Sequence, residues 1–191
     1  MNQRGLPFLN IGPARESAIQ VVRRGFLATV SGDVIELGAG DGKSLPYYPY
    51  QNLHTLTLVD QRFSKAARSF EIPKVPVTFV RRKLDDLPFA GNSFDYACLF
   101  FALSSTNEPY RVLAALRHTL RPSGRVFFID YLRPTGPAAL LYDSVSLFHR
   151  ITTRGISLNR NITNMLEVSG FRLLSSERYG NFFVYGEAER I

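Results

Sequence analysis

Apolar positions along the chain follow two rhythms. Short runs rich in Val, Ile, Leu, Phe and Tyr at 33–37, 55–60, 76–80, 95–101, 124–130, 171–178 and 181–187 predict seven strands. Between them, apolar residues recur at helical spacing and predict helices over 14–29, 43–49, 62–70, 107–120, 137–150 and 159–169. Strands alternating with helices specify a parallel sheet wrapped on both faces. Only Tyr179 and Gly180 separate the last two strands, too few for a crossover, so that pair must be an antiparallel hairpin. The expected fold class is α/β: a doubly wound, seven-stranded sheet, mostly parallel, with one antiparallel strand in a C-terminal hairpin and helices on both faces.

No repeat, low-complexity tract or linker interrupts this pattern, so residues 1–191 read as a single domain with an N-terminal helical segment at 1–32. The stretch 135–160 is longer than a plain crossover and is expected to cover the carboxyl edge of the sheet as a substrate lid. Composition adds little: 45% hydrophobic and 20% charged residues suit a soluble globular chain. No apolar run reaches the roughly 20 residues of a membrane span, and MNQRGLPFLN lacks the apolar core of a signal peptide, so the expected location is cytoplasmic. Cys98 is alone and lies within YACLFFAL, which reads as a buried core thiol. Lys and Arg outnumber Asp and Glu by 23 to 16, favouring anionic partners without choosing among nucleic acid, anionic lipid and an acidic substrate. The basic residues are scattered in short groups, Arg23–Arg24 and Arg81–Arg82–Lys83, each of which reads as a solvated face.

Candidate chemistry centres on VIELGAGDGKS at 34–44. A P-loop would need glycine five positions before Gly42, where Leu37 stands. A dinucleotide fingerprint counted from Gly38 would need its third glycine where Lys43 stands. What remains is E-x-G-x-G-x-G, with Glu36 two residues before the first glycine. Asp60 ends the second strand 18 residues after Gly42, where a carboxylate can accept both protons of a ribose diol or cap a following helix. The run RRKLDDLPFAGNSFD supplies a turn able to offer a backbone N–H and a carboxylate to adenine; it can also be a plain surface turn.

From about residue 33 to 132 the chain resembles the class I S-adenosylmethionine (SAM) methyltransferases of the type-11 small-molecule group. The glycine loop, LTLVD, LDDLPF…SFD and LRHTLRPSGRVFFID occur in that family's order, with Ser123 where glycine is usual. GDGKSLPYYP and GISLNRNITNMLEVSGF look most like a subset acting on phospholipids, quinones or alkyl thiols, extending the likeness to about residue 171. The resemblance implies a Rossmann-like fold and SAM as cofactor. It implies Glu36, Gly38, Ala39, Gly40 and Gly42 at the methionine end, Asp60 and Gln61 at the ribose, and Leu84 and Asp85 at the adenine. No metal is implied. Lys83 stands where many members carry an aspartate facing the adenine amino group, which leaves that bond to Asp85. The acid-histidine pair that often ends the fifth strand is here Asp130–Tyr131, which removes a histidine base from that position.

Asn107-Glu108-Pro109-Tyr110 is similar to the motif by which DNA amino-methyltransferases hold a flipped base, but it lacks the middle proline; Thr106 or Asn107 as cap and Pro109 in the first turn explain it as a helix start. His54 and His118 read as surface residues, and His149, beside Asp143, is the histidine placed nearest substrate. Displacement at a sulfonium requires alignment more than a base. Where the acceptor arrives protonated, the candidate bases are Asp143, His149, Tyr131 and Tyr47.

The function expected is methyl transfer to an apolar or amphiphilic small molecule of lipid, quinone or thiol type. The alternatives are a nucleic-acid or protein methyltransferase, and an inactive SAM-binding partner protein. The intact loop and Asp60 oppose the last, and 191 residues leave no room for a nucleic-acid recognition domain. AALLYDSVSLFHRI and RGLPFLNIG, with the positive charge, point to an acceptor met at an anionic membrane surface; the same apolar sets could instead pack on the sheet. The sequence is silent on oligomeric state.

Overall fold

The computed structural model describes residues 13–71, 75–132, 160–181 and 183–191. The chain opens with helix α1 (Pro13–Leu27), followed by strand β1 (Gly32–Leu37), two 3-10 turns (Leu45–Tyr47 and Tyr50–Asn52) and β2 (Leu53–Asp60). Then come α2 (Lys65–Arg68), β3 (Val77–Arg81), β4 (Phe94–Phe100), α3 (Pro109–Thr119) and β5 (Leu120–Tyr131), and finally α4 (Ile162–Val168), β6 (Phe171–Tyr179) and β7 (Phe183–Arg190). One sheet takes up all seven strands in the order β3-β2-β1-β4-β5-β7-β6, and β7 alone runs against its neighbours. The order reverses between β1 and β4, where open α/β sheets bind ligands beyond their strand ends.

Both faces of the sheet are covered, and the alternation of side chains assigns each residue to a face. Ile35, Leu37, Leu99 and Phe128 point to the layer built by α3 (Val112, Leu113, Leu116) and α4 (Ile162, Met165, Leu166). Val34, Leu58, Cys98 and Phe127 point to the layer that includes α1 through Ile19 and Leu27. Alternation therefore puts Glu36 on the α1 side, a carboxylate facing an apolar layer.

Two expected helices contract, for local reasons. Over 43–49 the chain makes only 3-10 turns: Pro46 and Pro49 remove donors, and Tyr48, preceding Pro49, is extended at φ −67°, ψ 134°. Over 62–70 only Lys65–Arg68 is helical, because Asp60 Oδ1 takes the Arg62 amide at 2.8 Å and Ser64 caps the turn by accepting from Ala67 N at 3.0 Å. A third correction concerns α3. Its N-cap is Glu108, not Thr106 or Asn107: Pro109 holds the residue before it out of helical geometry, and the Thr106 hydroxyl accepts from the Glu108 amide at 3.1 Å. The helix expected over 137–150, the lid residues 135–159 and the N-terminal stretch RGLPFLNIG lie outside the described residues.

At the amino edge, Arg121 donates to Asp33 (3.0 Å) and Asp95 (2.7 Å), while Asp33 also accepts from Thr55 (2.8 Å), joining β1, β2, β4 and β5. Just after Arg121, where the register of β5 against β4 shifts, Ser123 sits exposed at φ 61°, at the place where the family resemblance leads one to expect glycine. The left-handed region costs a residue with a Cβ roughly 1–2 kcal/mol, and the greater unfolded-state freedom of glycine takes back part of the relief. Ser123→Gly is expected to raise the unfolding free energy by about 0.5–1 kcal/mol, read as a higher urea midpoint at unchanged slope. A lowered midpoint would mean that the serine makes a contact worth more than the strain.

Candidate functional site

The carboxyl ends of β1, β2, β4 and β5 bring Leu37, Asp60, Phe100 and Tyr131 to one edge. The loop after β1 turns back over β2: the amides of Gly38 and Ala39 donate to Val59 O at 2.8 and 3.3 Å, and the Gly40 amide donates to Asp60 Oδ2 at 3.0 Å. Gly38 needs its positive φ of 81°, and a Cβ on Gly40 would lie 3.3 Å from the Asp60 carboxylate. The glycines therefore allow the loop to lie directly against the aspartate. With one oxygen on Gly40 and the other on Arg62, Asp60 keeps a second lone pair on each for a ligand diol. It does not cap α2, which Ser64 does.

Two cavities flank the loop. The larger, about 810 Å³, is lined by Asp60, Gln61, Leu84 and Asp85 among others; the smaller, about 230 Å³, by Glu16, Arg23, Glu36, Ala39, Lys43 and Ser44 among others. Gly38, Phe100, Phe101 and Tyr131 border both. Gly42 and Tyr47 line neither. A Cβ on Gly42 would press to 2.8 Å on Ala67 and Leu45, so its bareness serves the packing of the loop on α2; Tyr47 is half-buried and packs on the α1-side core. Asp143 and His149 lie outside the described residues. Cys98 is fully buried, and burial pushes its thiol well up, away from thiolate chemistry.

At the smaller cavity Glu36 is 4% exposed and accepts from Ser44 Oγ and Tyr48 OH, both at 2.7 Å. Burial pushes the pKa of its carboxyl above the ordinary range, and the two hydroxyl donors and the positive charge of Arg23 only partly oppose this. The loop is also fastened to α1 by the Lys43–Glu16 ion pair at 3.0 Å.

Sequence reasoning missed Arg23. Read as half of a solvated pair, it is 5% exposed while Arg24 is exposed, and its guanidinium lies 5.2 Å from the centre of the Phe100 ring. Its Nε and Nη1 are buried with no hydrogen-bond partner. The signal was present, since Ile19, Arg23 and Leu27 stand at i, i+4 and i+8 on the buried stripe of α1. Two buried donors without partners beside a cavity are available to an anionic group.

At the larger cavity Leu84 is buried, Asp85 sits 4.0 Å from the exposed Arg111 guanidinium, and Lys83 is exposed at the rim. Beyond them a shelf of about 650 Å³ is bordered by Arg81, Arg82, Lys83 and Arg111 together with Gln61, Asp85 and Asp86, the last accepting from Arg82 at 3.3 Å. Asp130, 1% exposed, accepts from the amides of Ser104 (3.1 Å) and Tyr131 (2.8 Å), and burial pushes it up to about 6. Its two oxygens hold the β4–α3 loop and the start of Tyr131, so its part is to shape the cavity wall.

Comparison with known proteins agrees with this geometry. A family model for a methyltransferase domain matches residues 35–128. The chain is 31% identical over 111 residues to a demethylmenaquinone methyltransferase of Renibacterium salmoninarum, covering 57% of this chain and 46% of that protein. It is 30% identical over 142 residues to a phosphatidylethanolamine N-methyltransferase of Cereibacter sphaeroides, covering 71% of this chain and 66% of that one. The matches thus span about half and about two thirds of these relatives. Among solved structures, a SAM-dependent methyltransferase of Mesorhizobium loti superposes with a TM-score of 0.71 at 20% identity, covering 94% of this chain and 99% of its own, a likeness of fold. The matched domain, the strand order and the glycine loop lying on Asp60 agree, and the chain belongs to the type-11 group of class I SAM-dependent methyltransferases.

Proposed function

We propose that the protein transfers a methyl group from SAM to an apolar or amphiphilic small molecule. The observation that carries the cofactor half is the pair of cavities joined at Gly38, with Asp60 in one and the unpaired Arg23 beside Glu36 in the other. A ligand suited to both carries a ribose at one end and an amino acid at the other. The bound cofactor would supply a methyl carbon made electrophilic by a sulfonium. Asp60 would receive the ribose hydroxyls, with Gln61, Leu84 and Asp85 around the adenine. Arg23 would meet the carboxylate, and Glu36, which uses only two of its four lone-pair sites, would meet the ammonium. Placing donor and acceptor in line can supply roughly 7–11 kcal/mol without a nucleophilic residue. Of the two candidate bases among the described residues, Tyr131 borders the cavities and Tyr47 does not.

The acceptor class is supported by the named substrates of the two relatives, a quinone and a phospholipid, and by the aromatic border of Phe100, Phe101 and Tyr131. Encounter at an anionic membrane is supported by the shelf at the cavity mouth, where Arg81, Arg82, Lys83 and Arg111 outnumber Asp85 and Asp86, the partners of Arg111 and Arg82. No helix among the described residues is long and apolar enough to cross a membrane, so the association proposed is peripheral.

Four measurements test these assignments. In calorimetry, Asp60→Ala should cost SAM affinity about 2–4 kcal/mol through unpaired ribose hydroxyls; Asp85→Ala should also weaken it, and Lys83→Ala should leave it nearly intact. The reverse order for the last two would mean that the adenine turn is misassigned. Arg23→Leu should weaken S-adenosylhomocysteine by on the order of 2 kcal/mol and leave methylthioadenosine, which lacks the carboxylate, unchanged; equal losses would remove Arg23 from the site. Finally, label from methyl-labelled SAM incubated with cell extract should partition into the lipid fraction, and the protein should sediment with anionic liposomes at low salt and release at high salt. Label in nucleic acid or protein would replace the acceptor class, and absence from the liposome pellet at low salt would remove the membrane.

A further inference from the structure

The basic shelf is built by a turn that the fold holds in place. Leu84 packs into the core, the Arg82 amide donates to Val80 O and the Asp86 amide to Lys83 O, both at 3.1 Å, and Arg81, Arg82 and Lys83 are left exposed on the outer side of the turn. Arg111 of α3 joins them from a separate element. Four basic side chains thus face two acidic ones, a formal surplus of two positive charges. Arg82 meets Asp86 at 3.3 Å and Arg111 meets Asp85 at 4.0 Å, in pairs whose basic members are more than half exposed and which therefore hold their charges weakly. Among the described residues, the side chains of Arg81 and Lys83 have no ion pair or hydrogen bond. Cations converging on one hollow from a strand end, a turn and a helix suit a group that offers several oxygens, as a phosphate ester does.

The shelf is also continuous with the larger cavity, since Gln61, Lys83 and Asp85 line both. Arg81 stands opposite Asp60 in the register of β3 on β2, one strand spacing of about 5 Å away. What sits on the shelf is therefore felt at the cofactor site. SAM carries an ammonium, a sulfonium and one carboxylate, a net charge of +1, and must enter past a rim of the same sign. Its product S-adenosylhomocysteine is net neutral. Resting on the cofactor and membrane readings given above, we propose that the shelf seats the phosphate of an anionic phospholipid headgroup, and that headgroup and SAM strengthen each other's binding while the product is indifferent. The coupling is reciprocal, so a membrane-bound enzyme takes up the donor in preference to the product.

The test measures SAM and S-adenosylhomocysteine affinities at low salt with phosphatidylglycerol vesicles, phosphatidylcholine vesicles, or glycerol 3-phosphate at equal phosphate concentration. It compares the wild type with Arg81→Gln/Lys83→Gln and with Arg172→Gln/Arg178→Gln, which removes the same charge from β6 at the opposite edge of the sheet. A unit charge about 10 Å away is worth roughly a factor of two in water, so phosphatidylglycerol should tighten SAM about two- to fourfold over phosphatidylcholine and leave the product nearly unchanged. The shelf variant should lose this gain and the β6 variant keep it, with product binding in both reporting a folded site. An equal gain for the product, an equal loss in the β6 variant, or the same gain from glycerol 3-phosphate would overturn the headgroup site. Vesicle binding without any gain for SAM would overturn the coupling alone and leave the cofactor and membrane readings standing. If the wild type binds no SAM, or does not sediment with phosphatidylglycerol vesicles, the corresponding reading falls and the proposal with it.

Discussion

The hydrogen bond from the Gly40 amide to Asp60 is the constraint on which the site depends. It joins the loop beyond β1 to the end of β2, adjacent parallel strands whose register runs from Asp33 opposite Thr55 to Leu37 opposite Val59. A loop held this way must pass close to a carboxylate, which leaves a Cβ at position 40 a tight 3.3 Å from Asp60 and requires a left-handed turn at position 38. In return, the aspartate is oriented before any ligand arrives, because one oxygen is fixed by the loop and the other by the Arg62 amide. An oriented acceptor loses less freedom on binding than a mobile one. Structural bond and binding group are therefore the same carboxylate.

Alternation along β1 supplies the second polar group. Val34 and Glu36 share a face, so a strand that buries Val34 against the α1 layer must bury Glu36 there too, and the cost is met by the two hydroxyl donors, Ser44 and Tyr48, which the 3-10 turns carry into place. A full helix over 43–49 would have carried those side chains elsewhere. The prolines that break it are thus part of how the carboxylate is accommodated. Arg23 is different. Two of its nitrogens have no partner, and a buried guanidinium left in that state opposes folding unless a ligand completes it.

The architecture was largely legible in the sequence because its signals are redundant. The central strands β1, β2, β4 and β5 carry apolar runs buried on two faces, and a two-residue connection dictated the hairpin of β6 and β7. The loop and Asp60 were legible because spacing eliminated other ligands. What was not legible depended on neighbours distant in sequence. Arg23 read as solvated since its partner residue Arg24 is, and only the stripe of Ile19 and Leu27 on the same helix face betrays it. The packing role of Gly42, whose bareness answers to Ala67 and Leu45 in the following helix and turn, has no signature in the loop itself. No local pattern marks the positive φ of Phe101, which is held by a bond to β5 nearly thirty positions later.

The two ends of the site are polar and its middle is aromatic, and this order follows from the sheet. Strand ends β1 and β2 present Glu36 and Asp60, whereas β4 and β5 end in Phe100, Phe101 and Tyr131 with their one carboxylate, Asp130, turned inward to bind backbone amides. Turning Asp130 inward leaves the surface above it without a formal negative charge on that strand and fixes the β4–α3 loop against β5. The same bonds that bury the acid therefore also brace the residue whose backbone is strained, because Phe101 lies between Phe100 at the end of β4 and Ser104, whose amide Asp130 holds. Strain at one position and satisfaction nearby are coupled: the energy that keeps an aromatic ring in a left-handed conformation comes from ordinary hydrogen bonds, that of its own amide to Ile129 O and that of the Ser104 amide, three residues on, to Asp130.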